Sequence, residues 1–427
     1  MVPEGWKLWK LCDLSQTKIG NGAFNDPKRV GKGYKLINVV NLYTPRQINP
    51  NELKRLDLSE KEFRTFKVEK GDVFFTRSSL KVEGIAHCNI YDTYEEDVVY
   101  ECHIMRVRPK QNLVVPKFLL EFCISYQARK YFMSHAKTGT MTTIDQKGVG
   151  GLSVPLPPLP EQKKIARILS TWDRAIETVE RLIENSKAQK KALMQQLLTG
   201  KKRFPGFGKP SVDGELPEGW EDIRLGMLGS KSRPAIKAGP FGSSLKKETY
   251  SITGYKIYGQ EQVIADDPFY GDYYIPEEKY QELISCSVQP GDILISLVGT
   301  IGRVLLIPND AELGVINPRL LRLSFDSKRV FPQFVRHLFD FQIIINKLRS
   351  WAQGGTMGVL SAATLKALPI LLPSLPEQKK IAHTLFSCDQ GIQNLEQQFT
   401  KLQTQKKALM QQLLTGKRRV MVDEVAA

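Results

Sequence analysis

Apolar side chains recur about every 3.5 residues in two long stretches of this chain, and this spacing predicts two amphipathic helices. The apolar positions advance in steps of four and three, which is the pattern of a coiled-coil seam. The first predicted seam consists of Ile165, Leu169, Trp172, Ile176, Val179, Ile183, Leu193 and Leu197. The second consists of Ile381, Leu385, Ile392, Leu395, Phe399, Leu402, Leu409 and Leu413. Because a large segment separates the two stretches, we expect the helices to pair as an antiparallel coiled coil.

The ends of the first predicted helix are marked by residues that favour helix boundaries. Pro160 fits the first turn, where its missing N–H is not needed, and Glu161 complements the helix dipole. Gly200 stands where a C-terminal cap is expected. The helix between them has about 39 residues and a length of roughly 58 Å. Lys190 and its counterpart Lys406 are polar exceptions within the seam, and such residues commonly set register or orientation.

The two helical stretches belong to a tandem repeat. The letters "LPEQKKIA" begin at Leu159 and at Leu375, and "QKKALMQQLLTGK" begins at Gln189 and at Gln405, so both repeats are 216 residues apart. The letters "PEGW" also stand near the start of each half. The segments between these landmarks have diverged. Near-identical tails behind unlike bodies indicate that the tails meet the same partner twice, whereas the bodies meet two different targets.

Each body has the sequence pattern of a mixed domain. The segments "GDVFFTRSS", "YECHIMRVRP", "GDILISLVGT" and "GRVLLIP" are rich in β-branched and aromatic residues and predict strands. The segments "VPKFLLEFCISYQARKYFM" and "FPQFVRHLFDFQIIINKLRSWA" have apolar periodicity and predict helices near the end of each body. We therefore expect an α+β fold with a curved sheet in each of two globular domains.

Charge and composition narrow the class of protein. The 427 residues include 61 Lys and Arg against 45 Asp and Glu, which gives a net charge of +16 and favours polyanionic partners such as nucleic acid. The six cysteines contain no CxxC pair, and the five histidines do not have the spacing of metal ligands. No segment is apolar over the length that a bilayer requires. These features predict a cytoplasmic protein without a metal site or a membrane partner.

Taken together, the repeated motifs resemble the specificity subunit of type I restriction-modification systems. The resemblance rests on two variable bodies, each ending in "PLPPLPEQKKIA" or "LPSLPEQKKIA", and on long helices that close with "LLTGK". "AGPFGSSLKKETY" and "INPRLLRL" in the second body are also similar to that family, whereas the first body departs from it with "IGNGAF". The resemblance implies that each body is a target-recognition domain for one half of a bipartite, asymmetric DNA sequence. The helices would set the spacer between the halves.

The resemblance also implies the partners. These are double-stranded DNA, two methyltransferase subunits docked on the helices, and two restriction and translocase subunits. S-adenosylmethionine, ATP and Mg would then bind to the partner subunits, with no cofactor on this chain. The resemblance and the repeat together predict the domain boundaries of the chain. These are target-recognition domain 1 at 1–154, helical spacer 1 at 155–203, a linker at 204–216, target-recognition domain 2 at 217–370, helical spacer 2 at 371–419 and a tail at 420–427.

The chain shows no catalytic motif of its own. It lacks a phosphate-binding GxxxxGK[ST], a GxGxxG after a strand, and the NPPY-like or DPPY-like motif of adenine methyltransferases. We therefore predict no catalytic residues on this chain. The resemblance implies that it is a non-catalytic subunit of an adenine-N6 DNA methyltransferase and restriction complex. Two alternatives remain open, namely a stand-alone bipartite DNA-binding regulator and an enzyme that modifies DNA itself.

Glycine-rich basic loops with polar or aromatic side chains are the expected DNA contacts, because they combine phosphate binding with groups that pair with bases. In the first body the candidates are Lys28, Arg29, Lys32, Tyr34, Thr76, Arg77, Ser78, Ser79, Lys81, Lys137, Thr138 and Thr140. In the second body they are Lys237, Ser243, Ser244, Lys246, Lys247, Tyr258, Gln260, Gln262, Thr300, Arg303 and Thr356.

Overall fold

The structure is a computed structural model that describes residues 2–212, 214–230, 232–241, 244–297, 302–353 and 361–421. The chain divides into two compact units that do not follow its linear order. Unit 1 consists of Met1–Arg181 and Glu396–Ala427, and unit 2 consists of Leu182–Leu395. Each unit therefore contains one body and the first part of the long helix that follows that body. It also contains the last part of the other long helix.

The body of unit 1 mixes short strands and helices. Its strands are β1 (Lys7–Lys10), β2 (Gly20–Asn21), β3 (Val30–Ile37), β4 (Lys54–Leu56), β5 (Val73–Thr76), β6 (Ser78–Ser79), β7 (Cys88–Ile90), β8 (Val98–Tyr100), β9 (Ile104–Val107), β10 (Thr142–Thr143) and β11 (Ser153–Leu156). Its helices are α1 (Glu60–Phe66), α2 (Pro116–Ile124), α3 (Tyr126–Ser134) and α4 (Gln146–Gly150), and the long helix α5 (Leu159–Leu197) follows.

The body of unit 2 has an equivalent order of elements. Its strands are β12 (Glu221–Arg224), β13 (Ile236–Ala238), β14 (Tyr255–Tyr258), β15 (Tyr274–Ile275), β16 (Ser287–Val288), β17 (Ile293–Ser296), β18 (Val304–Leu306), β19 (Gly314–Ile316), β20 (Leu320–Leu323) and β21 (Pro369–Leu372). Its helices are α6 (Gln260–Ala265), α7 (Glu277–Glu282), α8 (Pro332–Asp340), α9 (Gln342–Gln353) and α10 (Ala362–Lys366), and the long helix α11 (Leu375–Leu413) follows.

The sheet topology repeats between the bodies. An antiparallel sheet has the order β2-β9-β5-β7 in unit 1 and β13-β20-β17-β18 in unit 2. Beside it lies a mixed sheet, β4-β3-β8 or β15-β14-β19-β16, in which β3 runs parallel to β8 and β14 runs parallel to β19. Both expectations for the fold, an α+β body and a tandem repeat with a long helix after each body, are confirmed.

Two predicted helical segments differ in detail, because each forms two helices. Ser125 separates α2 from α3, where its hydroxyl accepts a hydrogen bond from the backbone N–H of Ala128 and caps the second helix. In unit 2, extended backbone at Phe341 separates α8 from α9. The predicted domain boundaries after residues 154 and 370 fall inside β11 and β21. These strands pair with β1 and β12, so the last strand of each body belongs to that body's own fold.

The long helices pack antiparallel within each unit. In unit 1, Lys406 of α11 donates to Asp173 of α5 at 2.7 Å, and in unit 2 Lys190 of α5 pairs with Asp389 of α11. All the seam side chains predicted from the sequence are buried or half-buried, and none is exposed. The polar exceptions Lys190 and Lys406 thus make equivalent ion pairs, each with an aspartate of the facing helix.

Each body's core extends onto the ends of both helices. In unit 1, Phe75 and Phe118 belong to one apolar cluster with Leu169 of α5 and Leu413 of α11. In unit 2, Phe334 clusters with Leu197 and with Leu385. In each unit, the start of one long helix and the end of the other both contribute side chains to the core of the body. The repeated tails therefore have the same structural role in both units.

Candidate nucleic-acid interface

The structure brings two of the predicted DNA-contact segments of unit 1 together. Strand β10 pairs with β6, so that Thr142 lies opposite Ser79 and Thr143 lies opposite Ser78. The backbone N–H of Ile144 donates to the carbonyl oxygen of Arg77 at 3.0 Å. These bonds place the loop at residues 137–141 beside the segment at residues 77–81, although the two are about 60 residues apart in the sequence.

The side chains on this joined surface suit contact with a polyanion. Arg77, Lys81, Lys137, Thr138 and Thr140 are exposed. Ser78 and Ser79 are half-buried, and Lys137 also lies 3.2 Å from Asp145. Cations with neighbouring hydroxyl groups can bind phosphate oxygens and still reach base edges.

The basic segment at residues 28–34 forms a second surface on unit 1, and part of it is already engaged. Arg29 makes a two-pronged ion pair with Glu62, at 3.1 and 2.8 Å. This pair, with the Ser59 hydroxyl, lowers the pKa of Glu62 to about 2. Tyr34 stacks on Phe63 with 4.0 Å between ring centroids, whereas Lys28 and Lys32 are exposed, Lys32 with its ammonium group 3.1 Å from Asp57. Lys28 and Lys32 are therefore the residues of this segment most open to DNA.

The candidates of unit 2 lie on the loop that follows β13 and around α6. Lys246 and Lys247 are exposed, Lys237, Ser244 and Gln260 are half-buried, and Arg303 is exposed just before β18. The predicted contacts Ser243, Thr300 and Thr356 lie outside the described residues. Exposed lysines on a loop beside polar side chains give this body a surface of the same chemical type as that of unit 1.

Three predicted contacts are wrong, because their side chains are buried and bonded within the body. Thr76 is inaccessible, and its hydroxyl accepts from the backbone N–H of His87 at 2.9 Å. Tyr258 donates its hydroxyl hydrogen to the carbonyl oxygen of Glu312 at 2.6 Å. Gln262 accepts from the backbone N–H of Gly259 and donates to the carbonyl oxygen of Tyr270 at 2.7 Å. Thr76 and Tyr258 end strands and Gln262 lies in α6, and the sequence alone does not show which face of these elements is covered.

A glycine at the same place in each body explains why two unlike sequences form equivalent surfaces. A Cβ atom on Gly22 would approach the carbonyl oxygen of Tyr100 to 1.9 Å, and one on Gly239 would approach that of Asn317 to 2.0 Å. Both glycines let one strand cross the end of another at close range. "IGNGAF" therefore has the same structural role as the start of "GPFGS", despite the difference in sequence.

The tails form a second repeated site, in which a buried carboxylate connects the start of each body to the two helices. Glu161 accepts from the indole N–H of Trp6 at 3.2 Å and from Arg419 at 2.7 and 2.9 Å. In unit 2, Glu377 accepts from Trp220 at 2.9 Å and from Arg203 at 2.8 and 2.7 Å. The repeated letters "PEGW" and "LPEQ" meet at this bond, a link that the sequence analysis missed. Their shared repetition was the only available indication.

The model of the type I restriction modification DNA specificity domain matches residues 3–185 and 217–404, so it covers both bodies and most of both helices. The chain belongs to this specificity family. A Methanocaldococcus jannaschii protein, provisionally named the MjaX type I restriction enzyme specificity subunit, is 28% identical over 422 residues, which are 98% of this chain and 95% of the relative.

Two solved structures share the specificity-family fold. One belongs to a type I restriction-modification system described for its complex assembly and conformational transition, with 17% identity, a TM-score of 0.58 and coverage of 98% of this chain and 100% of the other. The second is the S subunit of the type I system of M. genitalium, with 15% identity, a TM-score of 0.57 and coverage of 97% of each chain. At these identities the likeness concerns the fold alone.

Two other kinds of feature are absent from the described residues. No group of three or more His, Cys, Asp and Glu side chains in this part of the specificity protein is placed to hold a metal ion. A membrane crossing needs a long and strongly apolar helix, and none of the helices in the described ranges meets that requirement.

Proposed function

We propose that this chain is the DNA-reading subunit of a type I restriction-modification complex, in which each body recognises one half of an asymmetric, bipartite target. The observation that carries the proposal is the specificity-domain match to both bodies. The unlike exposed loops support two different half-sites, because base recognition depends on the side chains that each surface presents.

The repeated helix ends support the docking of two identical partners. Lys163, Lys164, Lys407 and Gln411 are exposed around the helix ends of unit 1, and their repeat counterparts Lys379, Lys380, Lys191 and Gln195 are exposed in unit 2. Identity at buried positions such as Glu161 follows from packing, whereas identity at exposed positions needs another cause. Two methyltransferase subunits, one on each copy, would supply that cause.

The rest of the complex follows from this assignment. The methyltransferase subunits would bind S-adenosylmethionine and transfer its methyl group to adenine N6, and two restriction subunits would use ATP and Mg to translocate and cleave DNA. This chain would contribute recognition and spacing without a catalytic group, and the complex would act in the cytoplasm, where the DNA is.

A genome-wide map of N6-methyladenine tests the proposal. Cells that express the partner subunits are compared with and without this chain, and a chain with Arg77, Lys81 and Lys137 changed to Ala serves as a variant. We expect methylation at one split, asymmetric motif that is lost without the chain and weakened in the variant. An unchanged map from an expressed system would contradict the proposal. Methylation or cleavage by the purified chain alone would favour an enzyme, and tight specific binding without partners would favour a stand-alone regulator.

A further inference from the structure

A loop of unit 2 presents aromatic rings to solvent. It connects α6 to β15, and within it Phe269 is 48% exposed, Tyr270 is 54% exposed and Tyr273 is 52% exposed. Three large aromatic side chains within five residues form a concentrated exposed apolar surface, whereas isolated exposed apolar residues are ordinary. Such a cluster of exposed aromatic side chains is typical of a surface that binds a ligand or a partner.

Buried polar groups hold the backbone of this loop. The ammonium group of Lys256, whose side chain is 1% exposed, donates to the carbonyl oxygens of Phe269 and Gly271, both at 3.1 Å, and lies 3.0 Å from Glu312. Gln262 donates to the carbonyl oxygen of Tyr270 between them. A buried ammonium is stable only when it is paired and hydrogen-bonded, so the interior side of the loop is fixed. With three consecutive carbonyls turned inward, the aromatic side chains stay outside.

The aromatic loop adjoins the basic segment of the same body. The ring of Tyr273 lies 5.5 Å from that of Tyr250, and the backbone N–H of Ser251 donates to the carbonyl oxygen of Tyr274 at 2.9 Å. Tyr250 directly follows the short turn that carries the exposed Lys246 and Lys247. The aromatic rings and the lysines therefore border each other on one surface.

One of the three acidic residues of the loop is neutralised by an ion pair. Asp266 is bound by both terminal nitrogens of Arg336, at 2.9 and 2.8 Å. Asp267 accepts from the backbone N–H of Phe269 at 2.9 Å. Asp272 is exposed, and a carboxylate in that setting can accept a hydrogen bond from the amino group of cytosine.

The equivalent connection in unit 1 is built differently. It runs between β3 and β4, where Arg46 pairs with Glu177 and donates to the carbonyl oxygen of Asp173 at 2.8 Å. Among the residues of this connection, Tyr43 is the only aromatic side chain. A feature present in one body and absent from the other is suited to a role in which the two bodies differ.

We propose that Phe269, Tyr270 and Tyr273 contact the bases of the half-site that unit 2 recognises, beside phosphate contacts made by Lys246 and Lys247. Aromatic side chains stack on exposed base faces or insert between base steps, and neither contact requires a charge. Lys256 and Gln262 hold the loop in place from within the body. The inference rests on the proposed function, and it specifies which residues of unit 2 determine sequence preference.

The test uses the assembled complex with its partner subunits. Phe269→Ala, Tyr270→Ala and Tyr273→Ala are combined in one variant, and Lys246→Ala with Lys247→Ala in another. Duplex binding is measured against salt concentration, and the methylated motif is mapped in cells. Tyr126→Ala in α3 is the matched control, because it removes a ring that is 60% exposed in the other body.

The two variants have different expected results. The aromatic variant should bind the target duplex about tenfold more weakly, relax the preference in one half-site, and leave the salt dependence unchanged. The lysine variant should make the negative slope of log affinity against log salt less steep by about 1.8, because each of the two lost phosphate contacts contributes roughly 0.9. Both half-sites should keep their sequence. The Tyr126 variant should match the wild type.

Two outcomes would overturn the inference. An aromatic variant with wild-type affinity and an unchanged motif would overturn it. Loss of partner association with unaltered DNA preference would also overturn it, and would assign the loop to a protein contact. If the triple variant does not fold, Tyr270→Ala alone is judged by the same two criteria. Failure of the proposed function is distinguishable, because the wild-type complex itself would then show no sequence-specific methylation.

Discussion

At the scale of single residues, the ion pairs between the helices show how the two copies have diverged around a common centre. The lysine of the seam pairs with an aspartate in both units, as Lys406 does with Asp173. A third ionisable side chain from the body lies beside each lysine–aspartate pair, and this residue differs between the units. It is Glu121 in unit 1, which lies 3.2 Å from Lys406, and His337 in unit 2, which lies 4.0 Å from Asp389.

Burial disfavours the charged form of both residues, so it shifts their pKa values in opposite directions. It raises the pKa of Glu121, since loss of water disfavours the carboxylate even beside Lys406. It lowers the pKa of His337 to about 4, with the positive charges of Lys190 and Arg336 acting in the same direction and Asp389 opposing them. His337 is therefore neutral in the folded unit at neutral pH.

His337 gives unit 2 a predictable dependence on pH. Its folded pKa lies below its unfolded value, so the stability it contributes is complete above about pH 6.5 and is lost as the pH falls toward 4. Between pH 7 and pH 5, we expect the wild type to lose roughly 2 kcal/mol more stability than His337→Gln, which cannot titrate. Amide hydrogen exchange in α8 measures this difference. Parallel losses in both proteins would contradict the expectation, and Tyr126→Ala serves as a control outside unit 2.

At the scale of elements, the sequence predicted the long helices well because their information is local. The 3.5-residue period and the Pro and Gly boundaries require no knowledge of neighbours, and both helices have 39 residues. The repeated glutamine in "PEQ" was not interpretable in this way. Gln162 is buried and binds the backbone of Val115 and Leu113, and Gln378 binds that of Phe331 and Arg329. These bonds fasten the start of each helix to its own body.

Helix length gives a prediction about the spacer of the DNA target. We expect that inserting four residues after Leu182, with four after the equivalent Gln398, lengthens each helix by about 6 Å and lengthens the spacer by about two base pairs. Both half-sites should remain unchanged, since neither body is altered. A methylation map of the double-insertion chain measures the spacer.

The matched control is an insertion in α5 alone. Both helices cross the boundary between the units, so a single insertion makes the two chain connections unequal, and we expect it to weaken methylation without creating a new uniform spacing. An unchanged spacer in the double-insertion chain would refute the idea that helix length sets the distance.

At the scale of the whole molecule, each compact unit needs chain from both repeats. Unit 1 is completed by Glu396–Ala427, where Leu413 enters the core and Arg419 binds Glu161. The first repeat carries the same residues at equivalent places, as Leu197 and Arg203. A half-chain therefore holds both the surface that must be covered and the segment that covers it.

We expect residues 1–216 alone to form a dimer, in which the end of α5 from each copy completes the unit of the other. A single continuous helix cannot fold back to cover its own body, so a second copy must supply the segment. Sedimentation equilibrium should give twice the half-chain mass. Lys190→Glu with Arg203→Glu, which reverses both ion-pairing charges, should abolish the dimer, and a folded monomeric half-chain without substitutions would contradict the prediction.

The sequence by itself determined the tandem repeat, the helix pair with its seam, the strand-rich bodies and the family, because periodicity and repeated letters are properties of the chain order. Only the tertiary structure decided which helix segment completes which body, since the two helices end in the same letters and the sequence offers the same segment to both bodies. It also decided which polar residues face solvent. Thr76, Tyr258 and Gln262 are covered by neighbouring elements, whereas the rings of Phe269 and Tyr270 are held outside by the buried Lys256. Burial depends on contacts between distant segments, and no local pattern records them.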